Sequence, residues 1–183
     1  MKTYVFVYDG FAHFEAMVLG YIMNGKGHEV ITVGSSNVPV KSAEGFRIAN
    51  DQVISEVNVN DVDLFVVPGG NSYPAMGNAA LISVIQQLHE MKKPIAAICH
   101  GPVLLAEAGV LEGKQFTSNV GETDEQFSLF KGTYVKEDVV TDDHFVTAIG
   151  NAYVEFAFKV AEKVNLFSSE DEANAYFNFF KNK

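Results

Sequence analysis

The stretch Lys93-Pro94-Ile95-Ala96-Ala97-Ile98-Cys99-His100-Gly101-Pro102-Val103-Leu104-Leu105-Ala106 constrains the fold of this chain more than any other. Ile95 to Ile98 is a short apolar run, the pattern of a strand covered on both faces. Gly101 offers backbone freedom where the chain must reverse. Pro102, with no N–H and a pre-set φ, suits the first turn of a helix. Val103 to Ala106 continues as a helix-compatible apolar run. The unit is strand, tight turn, helix, and the only cysteine of the chain, Cys99, stands at the crest of the turn.

A side chain at that crest is lifted clear of the sheet edge, as in a nucleophile elbow. The helix start beneath it offers unpaired N–H groups and a partial positive charge. Both favour thiolate over thiol, and thiolate is the reactive form. A lone cysteine is more often a small buried hydrophobe; the strand–Cys-His-Gly-Pro–helix context points instead to a nucleophile, ionised at neutral pH. His100 follows directly, either as a base or through its backbone N–H alone.

The rest of the chain reads as alternating strands and helices. Tyr4–Tyr8 is a buried strand broken by Asp9-Gly10, and Phe14, Met17, Val18, Tyr21 and Ile22 mark one face of a helix. Glu29–Val33 is a second strand, so the chain opens β–α–β with parallel strands. Glu15 falls just past the carboxyl end of the first strand, where open α/β sheets build their sites. Near a thiolate its carboxyl would have a raised pKa and donate a hydrogen bond to sulfur; the residues alone leave equally open a solvated acid serving the helix dipole. Val38–Val57 reads as short antiparallel strands at a sheet edge turning at Glu44-Gly45. Leu64–Val67 is a buried strand running into Pro68-Gly69-Gly70, and the backbone N–H groups of Gly69 and Gly70, with that of His100, would form an oxyanion hole. Thr123 with Gln126 suggests a capped helix through Phe130, Asp142-Asp143-His144 a hairpin turn, and Ser169 with Glu172 the cap of a last helix with the stripe Ala173, Tyr176, Phe177 and Phe180. His28 and His89 read as surface residues and His13 as a loop residue.

With 183 residues the chain is expected to form one domain, residues 1–183. A net charge of −10 and a single arginine, Arg47, argue against a nucleic-acid surface and against a multi-arginine phosphate site. One cysteine excludes an internal disulfide. No signal peptide or membrane-length apolar run is visible, so a cytoplasmic protein without membrane partners is expected. The histidines and Cys99 lack metal-ligand spacing. Asp9-Gly10-Phe11-Ala12 is not a phosphate loop, which argues against an FMN carrier; no cofactor is expected.

The chain resembles the ThiJ/PfpI family, within the class I glutamine-amidotransferase-like superfamily. The resemblance rests on Phe14-Glu15, Val67-Pro68-Gly69-Gly70, Ala97-Ile98-Cys99-His100-Gly101-Pro102, Gly113-Lys114 to Thr117-Ser118, Thr147-Ala148-Ile149-Gly150-Asn151-Ala152 and Glu155-Phe156-Ala157. It implies a flavodoxin-like three-layer α/β sandwich: a mainly parallel central sheet, helices on both faces and a small antiparallel edge hairpin. It also implies a homodimer or higher homo-oligomer, Cys99 as a reactive, oxidation-prone nucleophile and Glu15 as its protonated partner. One departure stands out: where the deglycase branch has a histidine after the Thr-Ser strand end, this chain has Asn119. His directly after Cys, as at His100, is instead the pattern of the protease-like branch. The expected function is a cysteine-dependent enzyme acting on a small electrophilic carbonyl, glyoxalase- or deglycase-like, with Cys99, Glu15 and His100 catalytic and Gly69 and Gly70 in the oxyanion hole. The alternatives are a peptidase or amidase of the PfpI type and a non-catalytic redox sensor or chaperone using the same sulfur.

Overall fold

The computed structural model describes residues 1–181. It opens with β1 (Lys2–Phe6), α1 (Phe14–Gly25) and β2 (Glu29–Gly34). The short strands β3 (Val40–Lys41), β4 (Arg47–Ile48) and β5 (Gln52–Val53) follow, then β6 (Leu64–Val67), α2 (Ala79–Glu90), β7 (Ile95–Ile98) and α3 (Gly101–Glu107). The last third contains β8 (Gln115–Phe116), β9 (Thr133–Tyr134), β10 (Val139–Asp142), β11 (Phe145–Ala148), α4 (Tyr153–Lys163) and α5 (Glu170–Lys181).

The main sheet runs β10-β11-β7-β6-β1-β2-β5, parallel throughout except for the antiparallel β10–β11 pair. α1, α4 and α5 pack in series, α2 and α3 pack on each other, and β7 touches helices of both groups, so the sheet is the middle of three layers. This is the flavodoxin-like sandwich expected of the resemblance. Every residue of β6 and β7 is buried, which is why these strands read as unbroken apolar runs rather than alternating ones. Strand order reverses direction at β1: β2 lies on one side and β6 on the other. The crevice outside the carboxyl ends of β1 and β6 is therefore the place where such a sheet builds a site.

Several local expectations are met and a few change. β3 and β4 form the antiparallel hairpin turning at Glu44-Gly45, but as a separate two-stranded sheet; β5 is the strand that pairs with β2. Tyr134 belongs to β9, which pairs in parallel with β8, and Val139–Asp142 forms the hairpin with β11 across the expected turn. Residues 125–129 form a 3₁₀ turn rather than an α-helix. The expected cap Thr123 is not used; Asp124 precedes the turn, and its carboxylate accepts the Gly121 N–H. The reason is packing: Phe116 stacks on Phe130 at 4.3 Å and Tyr134 meets Phe127 edge-on, which holds the segment too tightly wound for an α-helical register. At α5 the Ser169 hydroxyl accepts the Glu172 N–H as expected, while the Glu172 carboxylate turns to Ser168 and Lys26. The aromatic stripe of α5 packs inward, with Phe177 edge-on to Phe158. Among the described residues no helix is long and apolar enough to cross a membrane.

His144 does occupy the β10–β11 turn, but its ring is buried, and His89 turns inward from α2 to meet it. His89 Nδ1 and His144 Nε2 lie 3.0 Å apart, sharing one proton. The other His144 nitrogen is 3.3 Å from the Asp143 carboxylate, without hydrogen-bond geometry. Lys92 and Lys114 also reach that carboxylate. Burial lowers the proton affinity of both rings, and Lys114 and Lys92 lower that of His89 further; Asp143 opposes this. The unfolded chain therefore takes up protons on these rings before the folded chain does. Their contribution to stability is complete above about pH 6.5 and is lost as the pH falls below it. Between pH 8 and pH 5, wild type is expected to lose more stability in urea titrations than His144→Phe, which keeps a ring but no proton site.

Candidate active site

Parallel pairing sets the carboxyl ends of three strands level: Val67 lies beside Ala97, and Ala97 beside Thr147. The segments leaving these ends, 68–70, 99–101 and 149–150, are thereby gathered at one spot. The β1–α1 segment closes on them: Ala12 N–H donates to the Gly69 carbonyl (2.9 Å), Asn71 N–H to the Gly10 carbonyl (3.0 Å), and Phe11 bridges Gly70. The Tyr8 hydroxyl reaches the carbonyls of Pro68 and Gly69 at 2.9 and 2.7 Å.

At the centre is Cys99, whose φ is +62°. Left-handed backbone costs a residue with a Cβ roughly 1–2 kcal/mol. The surroundings hold it there. Cys99 N–H donates to the Ala148 carbonyl at 2.8 Å, and the Cys99 carbonyl accepts from the Ser118 hydroxyl at 2.7 Å and the Asn119 N–H at 3.0 Å. The reversal expected at Gly101 is therefore made by Cys99 itself. Gly101 is required for a different reason: a Cβ there would collide with the Val67 carbonyl oxygen.

Glu15 is 1% exposed although it stands in the first turn of α1. Its carboxylate accepts the Gly69 N–H at 2.7 Å and is hydrogen-bonded to the Cys99 thiol. Burial pushes this carboxyl up to about 7, and the charge of Glu44 adds to the push; the Gly69 N–H and the thiol pull the other way. That choice of Glu15 over a solvated acid is one the residues alone left open.

The sulfur departs from the sequence expectation. Burial first and then the Glu15 charge push the Cys99 thiol up to about 12, against the pull of the Gly70 and His100 N–H groups that face it. Burial and a neighbouring carboxylate outweigh the start of a helix only seven residues long. The two groups titrate as a pair sharing one proton across neutral pH, either on carboxyl with sulfur ionised or on sulfur with carboxylate ionised. Of the two glycines expected in the oxyanion hole, Gly69 gives its N–H to Glu15, whereas Gly70 turns its N–H to the sulfur.

His100 places its N–H at the sulfur, and its imidazole makes no hydrogen bond among the described residues. Asn119 is exposed, and its Oδ1 accepts the Gly150 N–H at 2.6 Å. Gly150 was legible only as part of a motif. A Cβ there would stand 2.9 Å from Glu15 Oε1 and 3.2 Å from Cys99 Sγ, so hydrogen at this position is what lets carboxyl and sulfur meet. Tyr8 and Ser118 carried no sequence signal of their roles, which arise from contacts across 60 and 19 residues. Among the described residues no group of three or more His, Cys, Asp or Glu side chains could hold a metal ion.

The model of the DJ-1/PfpI family matches residues 1–163. The chain belongs to that family. Among its relatives, "Deglycase TK1284" of Thermococcus kodakarensis is 29% identical over 149 residues, 81% of this chain and 89% of that protein. "Glutathione-independent glyoxalase DJR-1.2" of Caenorhabditis elegans is 31% identical over 155 residues, 81% of this chain and 80% of that protein. The crystal structure of the thiJ/pfpI family protein from Bacillus anthracis superimposes with a TM-score of 0.88 at 28% identity, covering 98% of this chain and 90% of that one. Helix α5 lies beyond residue 163, outside the family match.

A shared proton makes a distinctive pH profile. The rate of Cys99 alkylation by iodoacetamide should rise to about pH 7, as the pair loses its first proton, and then level off, because the remaining proton is divided between sulfur and carboxyl. In Glu15→Gln the plateau should vanish and the rate climb to a single thiol midpoint below about 12. Mass spectrometry reads this directly, since the chain has one cysteine.

Proposed function

We propose that this protein is a cysteine-dependent enzyme that acts on small electrophilic carbonyl compounds, aldehydes foremost, in the manner of a glyoxalase or deglycase. The observation that carries the reading is the buried Glu15 carboxyl bonded at once to Gly69 N–H and to the thiol of a left-handed Cys99. The names of the relatives supply the substrate class.

In the reaction, the Glu15 carboxylate takes the thiol proton as sulfur bonds to the carbonyl carbon. The carbonyl π pair moves onto oxygen, where the Gly70 and His100 N–H groups receive the charge. Glu15 then returns the proton to that oxygen, leaving a hemithioacetal on Cys99. A carboxyl poised near 7 both accepts and returns a proton without a deep energetic trap at either end. His100 enters through its backbone N–H. The same sulfur would serve a redox sensor; turnover separates the two readings.

The exposed Phe14, Met17 and Tyr21 on the outer side of α1, with Phe46 on the β3–β4 hairpin, support a homodimer across this face. Light scattering should then give twice the 20.0 kDa chain mass, and Met17→Lys with Tyr21→Lys should return it to one. The decisive measurement for the activity is methylglyoxal consumption. Cys99→Ala should lose turnover by roughly three orders of magnitude or fall to background, and Glu15→Gln should fall steeply as well. Equal rates in wild type and Cys99→Ala would remove sulfur from the chemistry.

A further inference from the structure

Helix α1 has an unusual start. Its cap residue, His13, makes no side-chain capping bond, and the acid of its first turn, Glu15, faces the interior instead of serving the helix end. The free N–H groups of His13 and Phe14 are taken by a residue far away in the chain: Glu44, at the tip of the β3–β4 hairpin. One Glu44 carboxylate oxygen accepts from Phe14 N–H at 3.0 Å, the other from His13 N–H at 3.2 Å. The hairpin that carries Glu44 is itself pinned to the β1–α1 segment. Gly10 N–H donates to the Lys41 carbonyl at 2.7 Å, Ala43 N–H to the Phe11 carbonyl at 2.8 Å, and Lys41 N–H to the Asp9 carboxylate at 2.8 Å. The segment 9–13 is held between the hairpin on one side and the Gly69-Gly70 turn on the other.

We propose that Glu44 is a positioning residue for the candidate active site: by capping α1 from the hairpin, its carboxylate fixes where the next residue, Glu15, stands relative to Gly69 N–H and the Cys99 sulfur. The inference rests on the reading of Glu15 and Cys99 as the reacting pair and adds a third member that touches neither substrate nor sulfur. Capping across the fold frees Glu15 from the electrostatic duty that first-turn acids ordinarily perform, so the acid that follows the cap can be turned into the sheet crevice. Glu44 also acts through its charge. The groups facing Glu15 are Cys99 and Tyr8 from the sheet side and Glu44 from the hairpin, with His13 two residues before it on the same element. Glu44 carries negative charge well before Glu15 gives up its proton, and that charge favours the proton on Glu15.

The test is the alkylation profile of Cys99 in wild type, Glu44→Gln and Glu44→Ala, with iodoacetamide as the probe. Glu44→Gln keeps one acceptor oxygen and loses the charge, so the onset of the plateau should move to lower pH by about half a unit or more while the plateau remains. Glu44→Ala loses the cap as well; the plateau should shrink or disappear as Glu15 leaves its place, and methylglyoxal turnover should fall with it. A purely structural role would lower the melting temperature of Glu44→Ala and leave the profile of both variants where wild type has it, and that result overturns the proposal. If Glu44→Ala does not fold, the shift in Glu44→Gln alone decides. A wild-type profile with no plateau near pH 7 defeats the Glu15–Cys99 pairing itself, and the role of Glu44 with it; a wild-type plateau that both variants keep unmoved defeats only Glu44.

Discussion

The hydrogen bond between the buried Glu15 carboxyl and the half-buried Cys99 thiol is the constraint to which the rest of the molecule answers. Each group alone would be out of place: an acid under a sheet edge and a polar sulfur in left-handed backbone. Together they need no counter-ion. A carboxyl raised from its ordinary value near 4.3 to about 7 represents, if fully ionised in the folded state, a cost on the order of 3 kcal/mol. That is a sizeable share of the stability of a domain this size, and the Gly69 N–H and the thiol keep it from being larger.

The sheet topology explains why these two groups meet. Glu15 leaves β1 and Gly69 leaves β6, the two strands between which the order reverses, while Cys99 leaves β7 beside them. Each contact is made beyond a carboxyl end; strand register sets Gly69 and Cys99 side by side, and the pinned β1–α1 segment brings Glu15 to them. The hairpin β3–β4 and the Ser118-Asn119 segment then hold the first and third of these exits from outside, the one through Glu44 and the backbone of Lys41 and Ala43, the other through the Cys99 carbonyl.

Much of this was legible in the residues. The run Ile95–Ile98 before Cys99, and Leu64–Val67 before Pro68-Gly69-Gly70, could only be buried strands ending in tight turns, and β–α–β spacing then placed Glu15 at the same end of the sheet. The ionisation of the sulfur was not legible. A strand–helix turn suggests a stabilised anion, but the balance depends on how deeply the neighbours bury it and on which way a nearby carboxyl points; both are properties of packing. Nor could sequence show that Cys99 rather than Gly101 takes the left-handed conformation, because the bonds that hold it there come from Ala148, Ser118 and Asn119, far along the chain. The 3₁₀ turn at 125–129 was hidden for a similar reason: the Thr123–Gln126 spacing is genuine, and the aromatic contacts of Phe116 and Phe130 override it. Glu44 gave a turn signal and nothing more, since a cap supplied across 30 residues leaves no local trace.

The surroundings of the sulfur are largely main chain: the amides of Gly70 and His100 face it, the Cys99 carbonyl is pinned from Ser118, and the bare Cα of Gly150 stands beside it. Peptide groups are common to every amino acid, so substitutions over most of the surface leave these contacts standing. A protein that shares little more than a quarter of its residues with this one overlays it closely, as expected where contacts are carried by peptide groups that every residue possesses.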